Sequence, residues 1–129
     1  MTSANYKDIA SKIKFEGKAF INGKYVDAID GKKYETINPA TGDVLCSVAQ
    51  CNEKDVDLAV KVSRKAFNNG NWSRTSPEFR KDILLKFAEL LRRDGVENSV
   101  LECIDTGKLI GDCLNEVAND APMHFQWYG

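Results

Sequence analysis

Residues 37–50 read Ile-Asn-Pro-Ala-Thr-Gly-Asp-Val-Leu-Cys-Ser-Val-Ala-Gln, and this stretch decides the fold. Asn38 precedes a proline, which favours an extended backbone, and Pro39 suits the first central position of a turn. Gly42 supplies the left-handed residue that closes the turn. Residues 44–49 then alternate as a β-strand. The chain before this stretch has the pattern of β-hairpins, and the chain after it has the pattern of helices.

The residues before this stretch predict short antiparallel strands. Asn22-Gly23 lies between two short apolar runs and is the dipeptide that type I′ turns require. Asp30-Gly31 is predicted to form a second turn of the same chemistry, and residues 34–37 alternate as a strand. Residues 1–19 are polar and are predicted to form a surface arm with one short helix. Three or four short strands are therefore expected before residue 50.

Two helices are predicted next from their capping residues. Asn52 suits the N-cap of the first, with Asp55 in its first turn, and Gly70 suits its C-terminal end. Ser76-Pro77 places a capping hydroxyl before a proline at the first helical position of the second. The faces predicted to be buried are Val56, Ala59, Val60, Ser63, Ala66 and Phe67 in the first helix, and Phe79, Ile83, Leu84, Phe87, Leu90 and Leu91 in the second.

Two further helices are predicted towards the C-terminus. One runs from about Gly95 to Thr106 and is terminated by Gly107. The last begins at Leu109 and is kinked or restarted at Pro122. The residues predicted to be buried are Val96, Val100, Leu101 and Ile104 in the first of these, and Ile110, Cys113, Leu114, Val117, Phe125, Trp127 and Tyr128 in the last.

Composition excludes several classes of protein. A chain of 129 residues is one domain or one piece of a larger one, and a net charge of −1 gives no reason to expect nucleic acid or an anionic membrane as partner. No apolar run is long enough to span a membrane, and lysines interrupt any signal-peptide core in residues 1–20. The four cysteines lack a Cys-x-x-Cys spacing and His124 is the only histidine, which argues against structural zinc. These features predict a cytoplasmic protein.

Residue type alone identifies no catalytic group. Cys46 lies on a strand, and Cys103 and Cys113 lie on apolar helix faces, so buried structural thiols are favoured over a nucleophile. His124 and Asp120 are four residues apart on a helix, which is more typical of a surface pair than of a catalytic pair.

The segment around Gly107 carries two further candidates. Thr106-Gly107-Lys108 has the end of a phosphate-binding loop, but the required earlier glycine is replaced by Glu102, and no Gly-x-Gly-x-x-Gly is present. Asp105 stands at a helix end, where it either has a specific role or only satisfies local amides. The residues leave both interpretations open.

Six blocks resemble, in order and spacing across residues 20–129, the aldehyde dehydrogenase superfamily. The blocks are Phe20-Ile21-Asn22-Gly23, Ile37-Asn38-Pro39-Ala40-Thr41-Gly42, Gly70-x-Trp72-Ser73-x-x-Ser76-Pro77, Leu90-Leu91-x-Arg93-Asp94, Ile104-Asp105-Thr106-Gly107-Lys108 and Trp127-Tyr128-Gly129. The Gly-Asn-Trp-Ser and Ser-Pro segments are most similar to those of the γ-glutamyl-γ-aminobutyraldehyde dehydrogenase branch and its betaine- and retinal-type relatives.

This resemblance implies an α/β fold and a redox activity. The fold would be β-hairpins and about four helices from the N-terminal part of a Rossmann-like NAD(P)-binding domain at residues 20–129, preceded by the arm at residues 1–19. The activity would be NAD(P)-dependent oxidation of a small-molecule aldehyde to a carboxylic acid, by a homo-oligomer. In such enzymes a cysteine thiolate attacks the carbonyl, a glutamate activates water, and an asparagine amide holds the oxyanion.

The chain departs from the family because none of those catalytic parts is in it. The Gly-Gln-x-Cys nucleophile, the Glu-Leu-Gly-Gly base, the Pro-Trp-Asn oxyanion block and the Gly-x-Thr-x-x-Gly cofactor loop are all absent. We therefore expect an inactive N-terminal fragment in which no residue is catalytic or cofactor-binding. The alternative is a self-standing α+β interaction module without catalysis.

Two positions carry over from the family. Its members often hold a structural monovalent cation between the residue before Asn-Pro and the aspartate of the Asp-Thr-Gly-Lys block. Here those are the Ile37 carbonyl and Asp105. An oxygen-only shell suits a hard potassium or sodium ion. A further ligand would come from outside this sequence, so the site is expected to be incomplete.

Overall fold

The computed structural model describes residues 5–129, so the first four residues of the predicted arm lie outside the described part of the chain. The chain divides into two compact units. The first comprises Met1–Lys14, Asn38–Asp43 and Pro77–Gly129, and the second comprises Phe15–Ile37 and Val44–Ser76.

The second unit begins with a tight hairpin. Strand β1 (Ala19–Ile21) pairs antiparallel with strand β2 (Lys24–Val26), and Ile21 lies opposite Lys24. The two connecting residues both have positive φ, 56° at Asn22 and 74° at Gly23. A two-residue loop with this geometry is a type I′ turn, as the Asn-Gly dipeptide predicts.

A second hairpin completes the strands of this unit. Strand β3 (Lys33–Ile37) pairs antiparallel with strand β4 (Val44–Ala49), with a register irregularity between Thr36 and Ile37. Four short strands therefore precede residue 50, as expected. Within the described residues they form two separate two-stranded sheets.

The Asp30-Gly31 turn differs from the prediction. The Gly31 amide donates to the Ala28 carbonyl at 2.8 Å, so Ile29 and Asp30 are the central residues and Gly31 follows them with φ 73°. Asp30 does not have positive φ. Its Oδ1 instead accepts a hydrogen bond from the Lys32 amide at 3.0 Å, which stabilises a different local turn. The prediction of a second type I′ turn is therefore wrong, and this segment links two hairpins that do not pair.

Helix α2 (Glu53–Asn69) begins with a capping box. The Asn52 side chain accepts from the Lys54 amide at 2.9 Å, and Asp55 Oδ2 accepts from the Asn52 amide at 2.9 Å. The other oxygen of Asp55 accepts from the Ile29 amide at 2.9 Å. The Asp55 residue is only 2% exposed. One buried carboxylate thus joins the start of the helix to the turn that precedes β3. Gly70, with φ 77°, ends the helix as predicted.

The apolar face predicted to be buried in α2 is largely exposed. Val56, Val60 and Phe67 are 57%, 60% and 59% exposed. The side of α2 with lower exposure carries Asp55 and the half-buried Val62. The prediction is wrong for this face because helical spacing identifies which side is apolar, but burial also requires an element that covers it.

The described part of the first unit is helical. Its elements are α1 (Tyr6–Ala10), α3 (Pro77–Arg93), α4 (Gly95–Thr106), α5 (Ile110–Cys113), a π-helical segment (Leu114–Asp120) and α6 (Ala121–Tyr128). Helix α3 packs against α6, α4 packs against α5 and the π-helical segment, and α1 packs against α4. Among residues 5–129, none of these helices, nor α2, has the length and apolar character needed to cross a bilayer.

Small residues bring α4 close to the π-helical segment. A Cβ at Gly95 would lie 2.9 Å from Ala118 Cβ. Ser99 is fully buried, with its Oγ 2.6 Å from the Gly95 carbonyl oxygen and 3.1 Å from the Cys113 carbonyl oxygen. The π-helical segment ends at Asp120 and α6 follows directly at Ala121, so that Pro122 lies in the first turn of α6. The backbone stays helical through Asp120 and Ala121, so what changes near this proline is the helix type, from π to α.

Burial in this unit follows the predictions only in part. Val100 and Cys113 are buried, as expected. Several aromatic and aliphatic residues predicted to be buried are instead exposed by more than a third, and the predictions for them are wrong within the described residues. They are Phe79, Ile83, Phe87, Leu90, Val96, Leu101, Phe125, Trp127 and Tyr128. Phe87 and Phe125 nevertheless contact each other edge to face, with ring centroids 4.7 Å apart.

Replacing Asp55 should destabilise the second unit. Asp55→Ala removes the buried carboxylate that accepts from the Ile29 and Asn52 amides in two partly buried hydrogen bonds, so we expect a loss of about 2 kcal/mol in the free energy of unfolding. Urea unfolding followed by far-ultraviolet circular dichroism measures this loss. The matched control is Asp57→Ala, an exposed carboxylate in the same helix, which should change stability little. Equal stability of the two variants would contradict the role of Asp55.

Candidate functional site

The two residues predicted to ligate a cation lie in different units. Ile37 is the last residue of β3, at the register irregularity of the second hairpin. Asp105 lies in the last turn of α4 and is exposed. Pro39 lies two residues after Ile37, and Gly107 lies two residues after Asp105. The structure brings Pro39 and Gly107 into contact.

The Asn-Pro turn is held by its own backbone. The Asn38 amide donates to the Asp43 carbonyl at 2.9 Å, and the Gly42 amide donates to the Asn38 carbonyl at 2.8 Å. The Asn38 side chain accepts from the Ala40 amide at 2.9 Å. Gly42 has φ 79°, the left-handed conformation expected from the sequence. The turn therefore presents Pro39 in a defined position.

Pro39 lies against the end of α4. Gly107 has φ 77°, and its amide donates to the Cys103 carbonyl at 2.9 Å. A Cβ at Gly107 would lie 2.9 Å from Pro39 Cγ. Glycine is therefore required here both for the backbone conformation and for the space that the proline ring occupies. The Ile-Asn-Pro and Asp-Thr-Gly-Lys blocks meet at this contact.

Lys108 is paired with two carboxylates. Its Nζ lies 2.7 Å from Glu116 Oε2 and 3.2 Å from Glu102 Oε1. The hydrogen bond to Glu116, followed by that to Glu102, raises the pKa of Lys108 above its ordinary value. Glu102 occupies the position at which a phosphate-binding loop requires glycine. In this structure two carboxylates therefore occupy the hydrogen-bonding positions around the Lys108 ammonium group.

The cysteines differ in exposure and in their partners. Cys113 is fully buried, and burial raises the pKa of its thiol, so it is not activated as a nucleophile. Cys103 is half-buried and its Sγ donates to the Lys108 carbonyl at 3.1 Å. Cys46 is half-buried on β4. Burial is therefore complete for one of the three predicted structural thiols and partial for two. Cys51, to which the sequence assigned no role, is exposed.

His124 and Asp120 do not form a catalytic pair in this structure. Both are exposed, and no hydrogen bond or ion pair joins them within the part of the chain that is described. His124 lines a shallow groove with Met123, Trp127 and Tyr128. Residues 5–129 also contain no cluster of three or more His, Cys, Asp or Glu side chains that could hold a metal ion. The predicted cation site rests on one carboxylate and a backbone carbonyl, and it remains a prediction.

Comparison with known proteins connects this chain to one family. Residues 25–129 match the model of the aldehyde dehydrogenase family. Aldehyde dehydrogenase 1 from Tanacetum cinerariifolium is 55% identical over 106 residues, which are 82% of this chain and 21% of that protein.

Solved structures agree with the fold. The indole-3-acetaldehyde dehydrogenase of P. syringae, in complex with NAD+ and IAA, matches with a TM-score of 0.92 at 37% identity over 98% of this chain and 26% of that one. The γ-glutamyl-γ-aminobutyraldehyde dehydrogenase of Burkholderia cenocepacia J2315 matches with a TM-score of 0.92 at 39% identity over 96% of this chain and 25% of that one. The predicted α/β fold class is confirmed, and the chain spans about a quarter of the length of these two proteins.

The contact between Pro39 and Gly107 predicts the effect of adding one methyl group. Gly107→Ala places a Cβ in a left-handed conformation and against the proline ring, so we expect the chain to lose about 1–3 kcal/mol of stability. Gly111→Ala is the matched control, because Gly111 lies in α5 and a Cβ there meets nothing within 4 Å. The control should be neutral or slightly stabilising. Thermal melting of both variants measures the difference, and a Gly107→Ala variant as stable as the control would exclude the proposed constraint.

Proposed function

The chain belongs to the aldehyde dehydrogenase family, and we propose that it is the N-terminal part of an NAD(P)-dependent enzyme that oxidises a small-molecule aldehyde to a carboxylic acid. The observation that carries this proposal is the match in fold at a TM-score of 0.92 over 98% of the chain. The order and spacing of the six sequence blocks support it independently.

In this proposal the chain is a scaffold and supplies no reacting group. The buried thiol of Cys113, the exposed His124 and the fully paired Lys108 have none of the surroundings of an activated nucleophile or base. Thiolate attack, hydride transfer and release of the acid would use residues outside residues 1–129. The helices would instead support the cofactor domain, using apolar side chains such as Phe79 and Ile83 that this chain leaves exposed.

The cofactor would also be held by residues outside this sequence. NAD or NADP would supply the hydride acceptor. The chain contains neither Gly-x-Gly-x-x-Gly nor Gly-x-Thr-x-x-Gly, and the Thr106-Gly107-Lys108 segment faces carboxylates rather than a phosphate site. The residues present therefore do not fit a dinucleotide, and we assign no cofactor contact to them.

We further propose a cytoplasmic homo-oligomer with neither nucleic acid nor a membrane as partner. The four cysteines lack a Cys-x-x-Cys spacing and are free thiols, of which Cys113 is buried, and this suits a reducing compartment. The nearly neutral net charge does not favour a polyanionic partner. Trp127 and Tyr128 are 81% and 78% exposed, and aromatic side chains of this kind are common at interfaces.

The cation proposal places potassium or sodium between the Ile37 carbonyl and Asp105. Pro39 and Gly107, each two residues further along the chain from one of these groups, are in contact. Oxygen donors alone suit a hard monovalent cation. At least one further ligand would come from the part of the enzyme that lies outside this sequence.

The proposed activity can be tested with and without the missing sequence. We expect no aldehyde oxidation by residues 1–129 with either nicotinamide cofactor, and turnover on the order of 1 s⁻¹ or faster by a longer gene product that contains the nucleophile and cofactor blocks. Absorbance of the reduced cofactor, measured over a panel of aldehydes, reports both rates. The proposal would be overturned if residues 1–129 oxidised an aldehyde and if Cys46→Ser or Cys103→Ser abolished that activity. A longer product that oxidises no aldehyde would support the non-catalytic module instead.

The cation proposal predicts a change in salt response. In the complete enzyme, Asp105→Ala should remove the dependence of the melting temperature on potassium or sodium, because the site loses its only charged ligand from this chain. Asp112→Ala, which removes another exposed carboxylate at the start of α5, is the control and should keep that dependence. If Asp105→Ala melts at the parent temperature and responds to salt as the parent does, Asp105 has only a local structural role.

A further inference from the structure

Two asparagines of this chain precede a glycine, and the fold treats them differently. These are Asn22, which begins the turn between β1 and β2, and Asn69, which ends α2. Glycine has no side chain, so its amide nitrogen approaches the preceding side-chain amide with the least steric hindrance. Both dipeptides therefore have the sequence that favours cyclisation of asparagine, and only the structure can distinguish them.

The first dipeptide is open to solvent. Asn22 and Gly23 are both exposed. A Cβ at Gly23 would meet no atom within 4 Å, so no group beyond its chain neighbours covers the side-chain position of this exposed glycine. Within residues 5–129, the Gly23 amide donates no hydrogen bond. Its nitrogen is thus free to lose a proton and attack.

The second dipeptide is protected. Gly70 is buried, and its amide donates to the Phe67 carbonyl at 3.1 Å. The Arg74 side chain covers it, since a Cβ at Gly70 would lie 2.7 Å from Arg74 Cδ. Ser73 Oγ donates to the same Phe67 carbonyl at 2.8 Å and further fixes this helix end. Attack by the Gly70 nitrogen would first require this hydrogen bond to break.

We propose that Asn22 is a site of spontaneous deamidation and that the fold protects Asn69. The Gly23 amide gives its proton to hydroxide, and its nitrogen bonds to Cγ of Asn22. The Cγ–Nδ2 bond breaks as Nδ2 takes a proton from water, which regenerates the hydroxide. Ammonia leaves, and a five-membered succinimide remains. Water then opens the ring at either carbonyl and produces aspartate or isoaspartate. No atom is oxidised or reduced, and water is the only co-reactant.

The two products should affect the hairpin differently. Asp-Gly also suits a type I′ turn, so the aspartate product can keep Ile21 opposite Lys24. Isoaspartate places an extra methylene in the main chain, which a two-residue loop cannot accommodate without loss of register. The new negative charge is tolerable in either case, because the exposed Lys24 is nearby and Lys65 lines the same groove as Asn22. Isoaspartate therefore opens the hairpin through the backbone and not through charge.

Ageing of the purified chain at mildly alkaline pH, followed by proteolysis and mass spectrometry of the peptides, tests the site. We expect conversion at Asn22 to be roughly tenfold faster than at Asn69, the factor that corresponds to one additional hydrogen bond to break. In concentrated urea the two rates should become equal, because only the fold distinguishes the two dipeptides. Equal rates in native buffer, or faster conversion at Asn69, would overturn the proposal.

Variants separate the site from its effect on the hairpin. Asn22→Gly should abolish the labelling of this peptide by an isoaspartyl methyltransferase, whereas Asn69→Gln should leave that labelling unchanged. Hydrogen exchange of the Ile21 and Lys24 amides should show lost protection in the aged parent chain and retained protection in freshly prepared Asn22→Asp. Loss of protection in fresh Asn22→Asp would contradict the backbone mechanism. These readouts do not depend on aldehyde oxidation, so they stand or fall separately from the proposed function.

Discussion

The Asp55 carboxylate is the interaction on which the second unit depends. It is almost fully buried and accepts hydrogen bonds from two backbone amides that lie 26 and three residues away in sequence. A buried carboxylate is costly unless it is satisfied in this way. This polar group joins α2 to the preceding turn, whereas Val56, Val60 and Phe67 remain exposed on another side of the helix, where no element of the described chain covers them.

Local rules predicted the elements well, and long-range contacts were not predictable from them. The N-cap at Asn52 and the helix ends at Gly70 and Gly107 follow from neighbouring residues, and all three are present. The bond from Asp55 to Ile29 has no local signal, because the two residues are far apart in sequence. The same applies to the π-helical segment, since its close approach to α4 depends on Gly95 and Ala118, which belong to different helices.

The candidate site shows the same division between local and distant information. The sequence excluded a phosphate-binding loop because Glu102 replaces a glycine, and the structure shows that Glu102 and Glu116 both pair with Lys108. The contact of Pro39 with Gly107 was not predicted from either block alone, because neither block carries a pattern that names its partner. The left-handed conformation of Gly107 was predictable from the sequence. The steric contact with Pro39, which leaves no room for an alanine at position 107, was not predictable.

We propose that this chain is a non-catalytic N-terminal scaffold of an aldehyde dehydrogenase. The most direct measurement is the aldehyde oxidation rate of a chimera in which this chain replaces the matching quarter of the γ-glutamyl-γ-aminobutyraldehyde dehydrogenase of Burkholderia cenocepacia. We expect a folded chimera whose rate stays within about an order of magnitude of the parent, since all reacting groups are retained. A chimera that folds and binds NAD+ as the parent does, but oxidises no aldehyde, would contradict it.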